Sequence, residues 1–344
     1  MSRPVLLAAA LCVGQLAPAL AREPAPVALP DPFDVSTAAA SLVEVSNVKA
    51  LQGLRRVAVP QFSIEFVTSD NVSAETSGFA AAGRASVTGY YRLVGLDEAD
   101  FQALANQLYA GFVQALQAQG LEVMTPEQLA ASPTWRKLVA GGVPLPLRGD
   151  SSIVVAPPGM ALYGANRMLV NSGGKGTLAS IAAMGAGFSA IAEATDGAGL
   201  SQELGGVALV EVAMKLHFAQ LKNENKGFFG RLASTAEVSA KLHPILMQAR
   251  LSVQAGPEAS IVSARQPLLL DPAAFSEVRK QAATAGETAG AVAVGLLRLA
   301  IGSKDSSSTE KYEVVTDPQR YGERIAANLA QTNAMLIARM VNAR

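Results

Sequence analysis

His217 and His243 are the only imidazoles in the chain, and both fall in stretches where apolar and polar residues alternate as they do along strands. If Val210 to Phe218 and Val238 to Leu242 pair around a turn centred near Asn225-Lys226, His217 faces a residue near Thr235. His243 then lies eight positions further along, and at about 3.3 Å per residue the rings stand roughly 26 Å apart. In that register they share no metal. The chain has neither His-Glu-x-x-His nor Gly-x-Ser-x-Gly, so a histidine hydrolase would have to be assembled from distant segments. No catalytic residue, metal ligand or cofactor is assigned.

Three further segments invite a chemical reading. Gly173-Gly174-Lys175-Gly176-Thr177 stands at an expected helix start, where free backbone N–H groups attract anions, and makes Gly174, Lys175 and Thr177 a candidate anion site. It departs from the phosphate-loop pattern, because Leu169 stands where the leading glycine belongs and Gly176 where Ser or Thr follows the lysine. A flexible loop opening a helix is the plainer reading. Gly185-Ala186-Gly187-Phe188-Ser189-Ala190 imitates a dinucleotide fingerprint but lies inside an expected helix, without the strand-to-helix turn that the fingerprint needs.

The third segment is Lys222 to Gly230, read as an exposed hairpin tip. Adjacent Phe228 and Phe229 point to opposite faces of a strand, so only one can enter a core. Lys226 and Arg231 flank them and favour an anionic surface, which makes Lys226, Phe228, Phe229 and Arg231 candidate contacts with a partner or a membrane surface. The plainer alternative folds both rings over the sheet edge. Tyr90-Tyr91-Arg92, the one aromatic and basic cluster on a hairpin, reads as a strand surface.

Residues 1–21 look like a cleavable export signal: Arg3, an apolar core from Val5 to Val13, and Ala19-Leu20-Ala21 at the cut. The core is about nine residues, half or less of a bilayer-spanning helix. Leu11 before Cys12 does not fit a lipoprotein cleavage site. Removal at Ala21 takes away the only cysteine, and with it any disulfide or thiolate chemistry. It also leaves 27 basic against 28 acidic residues, a balance that argues against a nucleic-acid partner. The expected location is the periplasm or beyond, with outer-membrane association as an option.

The elements that must position these residues can be read in order. Residues 22–50 begin with a proline-rich run that is expected to be a tether. Residues 51–344 form one large domain, with a boundary near residues 150–175 as the alternative. Arg55 to Phe66 is a half-buried strand whose Pro60 requires an edge or a bulge. Between Thr68 and Gly83 the chain turns to Ser, Ala, Gly and Asn, and Val87, Tyr91 and Leu93 then resume the alternation up to Gly95, which reads as a hairpin with a long mobile tip. A helix follows from Asp97 to Gly120, with Phe101, Leu104, Leu108, Phe112 and Leu116 on its buried face.

Leu121 to Met124 is a short strand, Thr125-Pro126 and Ser132-Pro133 each open a helix, and Ser152 to Ala156 is a buried strand. The stripe Ile181, Met184, Phe188 and Ile191 predicts a helix. The long strand Val210 to Phe218 is followed by one whose alternation changes phase at His243-Pro244, the mark of a bulge or a break. Asp271-Pro272 predicts a helix that carries Phe275, Val278, Ala282 and Ala285 into the apolar run Ala289 to Leu297. Gly286 and Gly290 would make close helix contact there. Gly302 to Thr309 is a loop, Tyr312 to Val315 a short strand, and Asp317-Pro318 opens a last helix buried through Tyr321, Ile325, Leu329, Thr332, Leu336 and Met340. The expected fold class is α/β, with α+β as the alternative: a mixed sheet with long antiparallel hairpins, flanked by amphipathic helices.

The strand Arg55 to Phe66, the long helix Asp97 to Gln119 and the run Gly120-Leu121-Glu122-Val123-Met124-Thr125-Pro126-Glu127-Gln128-Leu129 resemble the α/β domain of bacterial envelope proteins. Similar patterns occur in curli-secretion channel subunits, TolB amino-terminal domains and lipoprotein activators of penicillin-binding proteins. The resemblance spans about 75 residues, is architectural, and carries no chemical group over. It implies a noncatalytic scaffold that binds envelope proteins. The leading expectation is therefore an exported accessory protein binding another periplasmic or outer-membrane component or a second copy of itself. The runner-up is a carrier of an apolar small molecule such as a lipid, held between the sheet and the segments Leu178 to Ile191 and Ala289 to Leu297. A periplasmic hydrolase stands third.

Overall fold

The computed structural model of the chain describes residues 25–76, 84–163, 197–225, 235–281, 290–292, 295–302 and 306–344. Through them run α1 (Val35–Leu42), β1 (Arg56–Val67), β2 (Ser69–Glu75), β3 (Ala85–Val94), α2 (Glu98–Ala118), α3 (Pro126–Ala130), α4 (Pro133–Gly141) and β4 (Ser152–Val155). After them come β5 (Ala208–Asn223), β6 (Thr235–Ala255), β7 (Glu277–Lys280), β8 (Leu296–Gly302), β9 (Ser306–Val315) and α5 (Pro318–Val341), with shorter strands between. The fold is α/β with mixed sheets, as the sequence led us to expect.

The larger sheet is built on β1, β5 and β6. β1 and β5 run parallel, β5 and β6 form a long antiparallel hairpin, and β4 closes antiparallel on the other side of β1. Along its outer edge β6 takes up three short partners in succession: β8 against Thr235 to Lys241, Leu268–Leu269 against Ile245 and Leu246, and Glu258–Ala264 against Arg250 to Ala255. Pro60 is accommodated by a bulge. Ala58 pairs with Leu209 and Gln61 with Glu211, so two residues of β1 stand against one of β5.

That bulge rotates the strand, and beyond it Phe62, Ile64 and Phe66 face the helix layer. Phe62 packs against Phe112 and Tyr109 of α2 with ring centroids 5.6 and 5.7 Å apart, and Phe66 meets Phe101 at 4.7 Å. Phe62, Phe66, Phe101 and Phe112 are buried, and each contributes about 2–3 kcal/mol by leaving water. α2 starts where Asp97 and Asp100 form a reciprocal capping box, and Gly120 takes the positive φ of 76° just past its end. α5 packs beside α2, and Tyr321 meets Phe101 edge-on.

The smaller sheet has the order Gly290–Val292, β7, β9, β3, β2, with β9 and β3 parallel and their Tyr312 and Tyr91 rings stacked 5.4 Å apart. The expected hairpin is corrected: β3 pairs with β2, which lies inside the stretch read as a mobile tip, while β1 lies in the larger sheet. Ser69 to Glu75 pairs along β3 despite its polar composition.

Four further expectations are corrected. β1 is buried on both faces, so Gln61, Ser63 and Glu65 do not look out to water. Val27 and Ala28 of the proline-rich segment pair with Leu268 and Leu269, and α1, capped by Asp34, packs on α5. That stretch is not a free tether. The helix expected from Asp271 is one 3-10 turn, Pro272–Ala274. After it Val278 pairs with Val314, and Leu296 to Gly302 pairs with β6. Gly290 accordingly lies in a strand rather than in a helix contact. Apolar spacing there fits either period, and the open edges of β9 and β6 decide for strands. Lastly, β9 begins at Ser306, inside the expected loop. Among the described residues no helix is long and apolar enough to cross a membrane.

Candidate functional site

Side chains at paired positions of neighbouring strands share a face. Gln61, Ser63 and Glu65 of β1 pair with Glu211, Ala213 and Lys215 of β5, and these with Ser252, Arg250 and Gln248 of β6. The sheet face turned away from Phe62 and Phe66 thus carries a row of polar and charged groups. Glu65 and Lys215 make an ion pair of 3.1 Å whose side chains are only 8% and 24% exposed. Gln61 donates to the carbonyl of Ala161 at 2.8 Å, and the Ser63 hydroxyl donates to that of Val212 at 3.3 Å. Burial pushes the Arg250 guanidinium below its ordinary range, and the charge of Glu211 opposes that shift.

The row can hold charge and register, but its buried Ser63 is no ready nucleophile. Ser63 spends its proton on a backbone carbonyl, and among the described residues no three His, Cys, Asp or Glu side chains stand together to hold a metal. The alternation in the sequence contained these residues. What it lacked was the pairing that sets Lys215 beside Glu65.

The histidines sit differently from the expected register. In the pairing of β5 with β6 His217 stands opposite Ile245 and not near Thr235. His243 is two residues from that partner, and the 26 Å separation does not hold. The phase change at His243-Pro244 is a bulge opposite Phe218 within one continuous strand, and a second irregularity leaves Met247 as an extra, exposed residue. The two rings are separately engaged. His217 places Nε2 3.0 Å from Asp70 Oδ2 and accepts the Ala219 N–H on Nδ1 at 2.9 Å. With Nδ1 an acceptor, the proton sits on Nε2, and the nitrogen a general base would need is occupied by backbone. His243 Nδ1 lies 3.1 Å from the Pro244 carbonyl, and burial lowers its pKa.

The ends of the hairpins converge. Asn223 Nδ2 donates to the Ser73 carbonyl at 2.6 Å, which joins the β5–β6 hairpin to the β2–β3 hairpin. Asn225 ties off the former, donating to the Thr235 carbonyl and accepting from the Glu237 N–H. Thr235 pairs with Gly302 at the end of β8, and Ser306 at the start of β9 pairs with Ala85 and donates its N–H to Arg84. One end of the protein therefore presents the described ends of three chain reversals. The candidate contacts Lys226, Phe228, Phe229 and Arg231 and the candidate anion site Gly174, Lys175 and Thr177 all lie outside the described residues, as does the helix read over Leu178 to Ile191. Of the aromatic and basic cluster, Tyr91 is buried against Tyr312, while Tyr90 is 45% exposed.

No protein-family model, curated protein or solved structure matches the chain.

Proposed function

We propose that this is an exported, noncatalytic accessory protein of the bacterial envelope that binds another envelope component through the end where its hairpins converge. The single observation that carries the reading is that convergence: Ser73 with Asn223, Thr235 with Gly302, and Ser306 with Ala85 gather three reversals on one surface. The export reading of residues 1–21 supplies the compartment, and the resemblance of Arg55 to Leu129 to envelope scaffolds supplies the class of partner. The backbone-bound Nδ1 of His217 weighs against the hydrolase alternative.

A surface of this kind binds through its loops while the sheets hold their spacing. Replacing Phe228 and Phe229 together by Ser is the direct test. Binding through the tip predicts loss of the copurifying envelope partner with an unchanged melting temperature. A lowered melting temperature with the partner retained would assign the rings to the fold and remove the tip from the interface.

A further inference from the structure

A cavity of about 250 Å³ opens among α2, the α3–α4 segment and the turn Pro157 to Met160. It is distinct from the hairpin end and from the polar row. Tyr109 and Trp135 give it aromatic walls, and Met124, Met160 and Pro157 give it adaptable apolar ones. At this volume it lies just below the ~300–1,000 Å³ of drug-sized pockets and suits a fused pair of rings.

Its described lining includes three side chains that can donate, Trp135, Tyr109 and Asn106. The Trp135 indole N–H has no acceptor, although the residue is nine-tenths buried. Burial, followed by the charge of Glu127, holds the Tyr109 phenol above its ordinary range, so it keeps its proton. The Asn106 carbonyl accepts from Gln102 at 2.9 Å, which leaves its amide N–H groups to offer. Among the described residues no lysine or arginine lines the cavity to neutralise an anion, and no carboxylate lines it to neutralise a cation.

We propose that this cavity binds a small, flat, neutral molecule made of apolar rings and carrying one hydrogen-bond acceptor. Trp135 is the only tryptophan, so the full-length protein reports occupancy by its own fluorescence. Quinoline and naphthalene are the probes, because they share a shape and differ in one ring nitrogen that accepts. Both should change the emission saturably, and quinoline should bind about fivefold more tightly.

Tyr109→Phe, which keeps the ring and the reporter, should cut that preference to about twofold or less. Met160→Phe, which narrows the cavity, should weaken both probes. Melting curves of the two variants identify any loss that comes from unfolding. Lack of a saturable response to either probe up to its solubility limit would overturn the proposal. So would equal affinity of the two probes for the unaltered protein, full quinoline binding by folded Met160→Phe, or displacement of quinoline by palmitate at lower concentration, which would make the site an acyl-chain carrier.

Discussion

Lys215 and Glu65 show what the polar row contributes at the scale of single residues. Their charges neutralise each other on a covered sheet face, so removing one strands the other. Lys215→Met should cost about 3 kcal/mol in urea unfolding, the low end for buried pairs because the lysine is still a quarter exposed. Adding Glu65→Leu should recover most of that loss, and a double variant as unstable as the single one would contradict the account. His243 makes a second prediction. Burial lowers its pKa below the ordinary 6.5, so the unfolded chain takes up that proton at a higher pH than the folded one does. Its contribution is whole above 6.5 and is lost as pH falls through that value toward the folded one. Between about pH 7.5 and pH 5.5 the melting temperature should therefore fall less steeply in His243→Gln than in the unaltered protein, and identical slopes would refute the assignment. These residues were visible in the sequence as the polar members of alternating strands. Their partnerships were not, because the register of β5 on β6, with its two bulges, sets His217 opposite Ile245, which the turn expected near Asn225-Lys226 does not produce.

Local chemistry decides most of the elements. Asp97 caps α2 with its carboxylate on the Asp100 N–H, so Asp97→Ala should cost about 1 kcal/mol, read from denaturant midpoints. Gly95 ends β3 at a φ of 96°, and a Cβ there would stand 2.0 Å from the carbonyl oxygen of Thr316. Gly95→Ala combines left-handed strain with a backbone clash and should cost more than about 2 kcal/mol. A loss below 1 kcal/mol would show that the junction between β3 and α5 yields easily. Caps, stops and apolar stripes of this sort made α2, α3, α4 and α5 legible, down to Tyr321, Ile325, Leu329, Thr332, Leu336 and Met340 on the buried face of α5. They failed where tertiary partners decide. Asp271 caps just one turn, and Leu296 to Gly302 becomes a strand because Thr235 to Lys241 presents an open edge. In the same way Val27 and Ala28 are ordered by Leu268 and Leu269, whatever the prolines around them prefer.

For the whole molecule, two sheets and a helix layer leave one end to chain reversals and the other to short turns. The ends of β2, β5 and β8 meet at the first, whereas Arg56, Glu122 and Glu258 mark the second. Placing a photocrosslinking residue singly at Glu75, Thr235 and Ser307, and for comparison at Glu122 and Glu258, samples both ends at exposed positions in intact cells. A binding surface at the converging hairpins predicts that the first three positions capture one and the same envelope component, or a second copy of the chain, and that the last two do not. Equal capture from both ends, or capture from Glu122 and Glu258 alone, would contradict it.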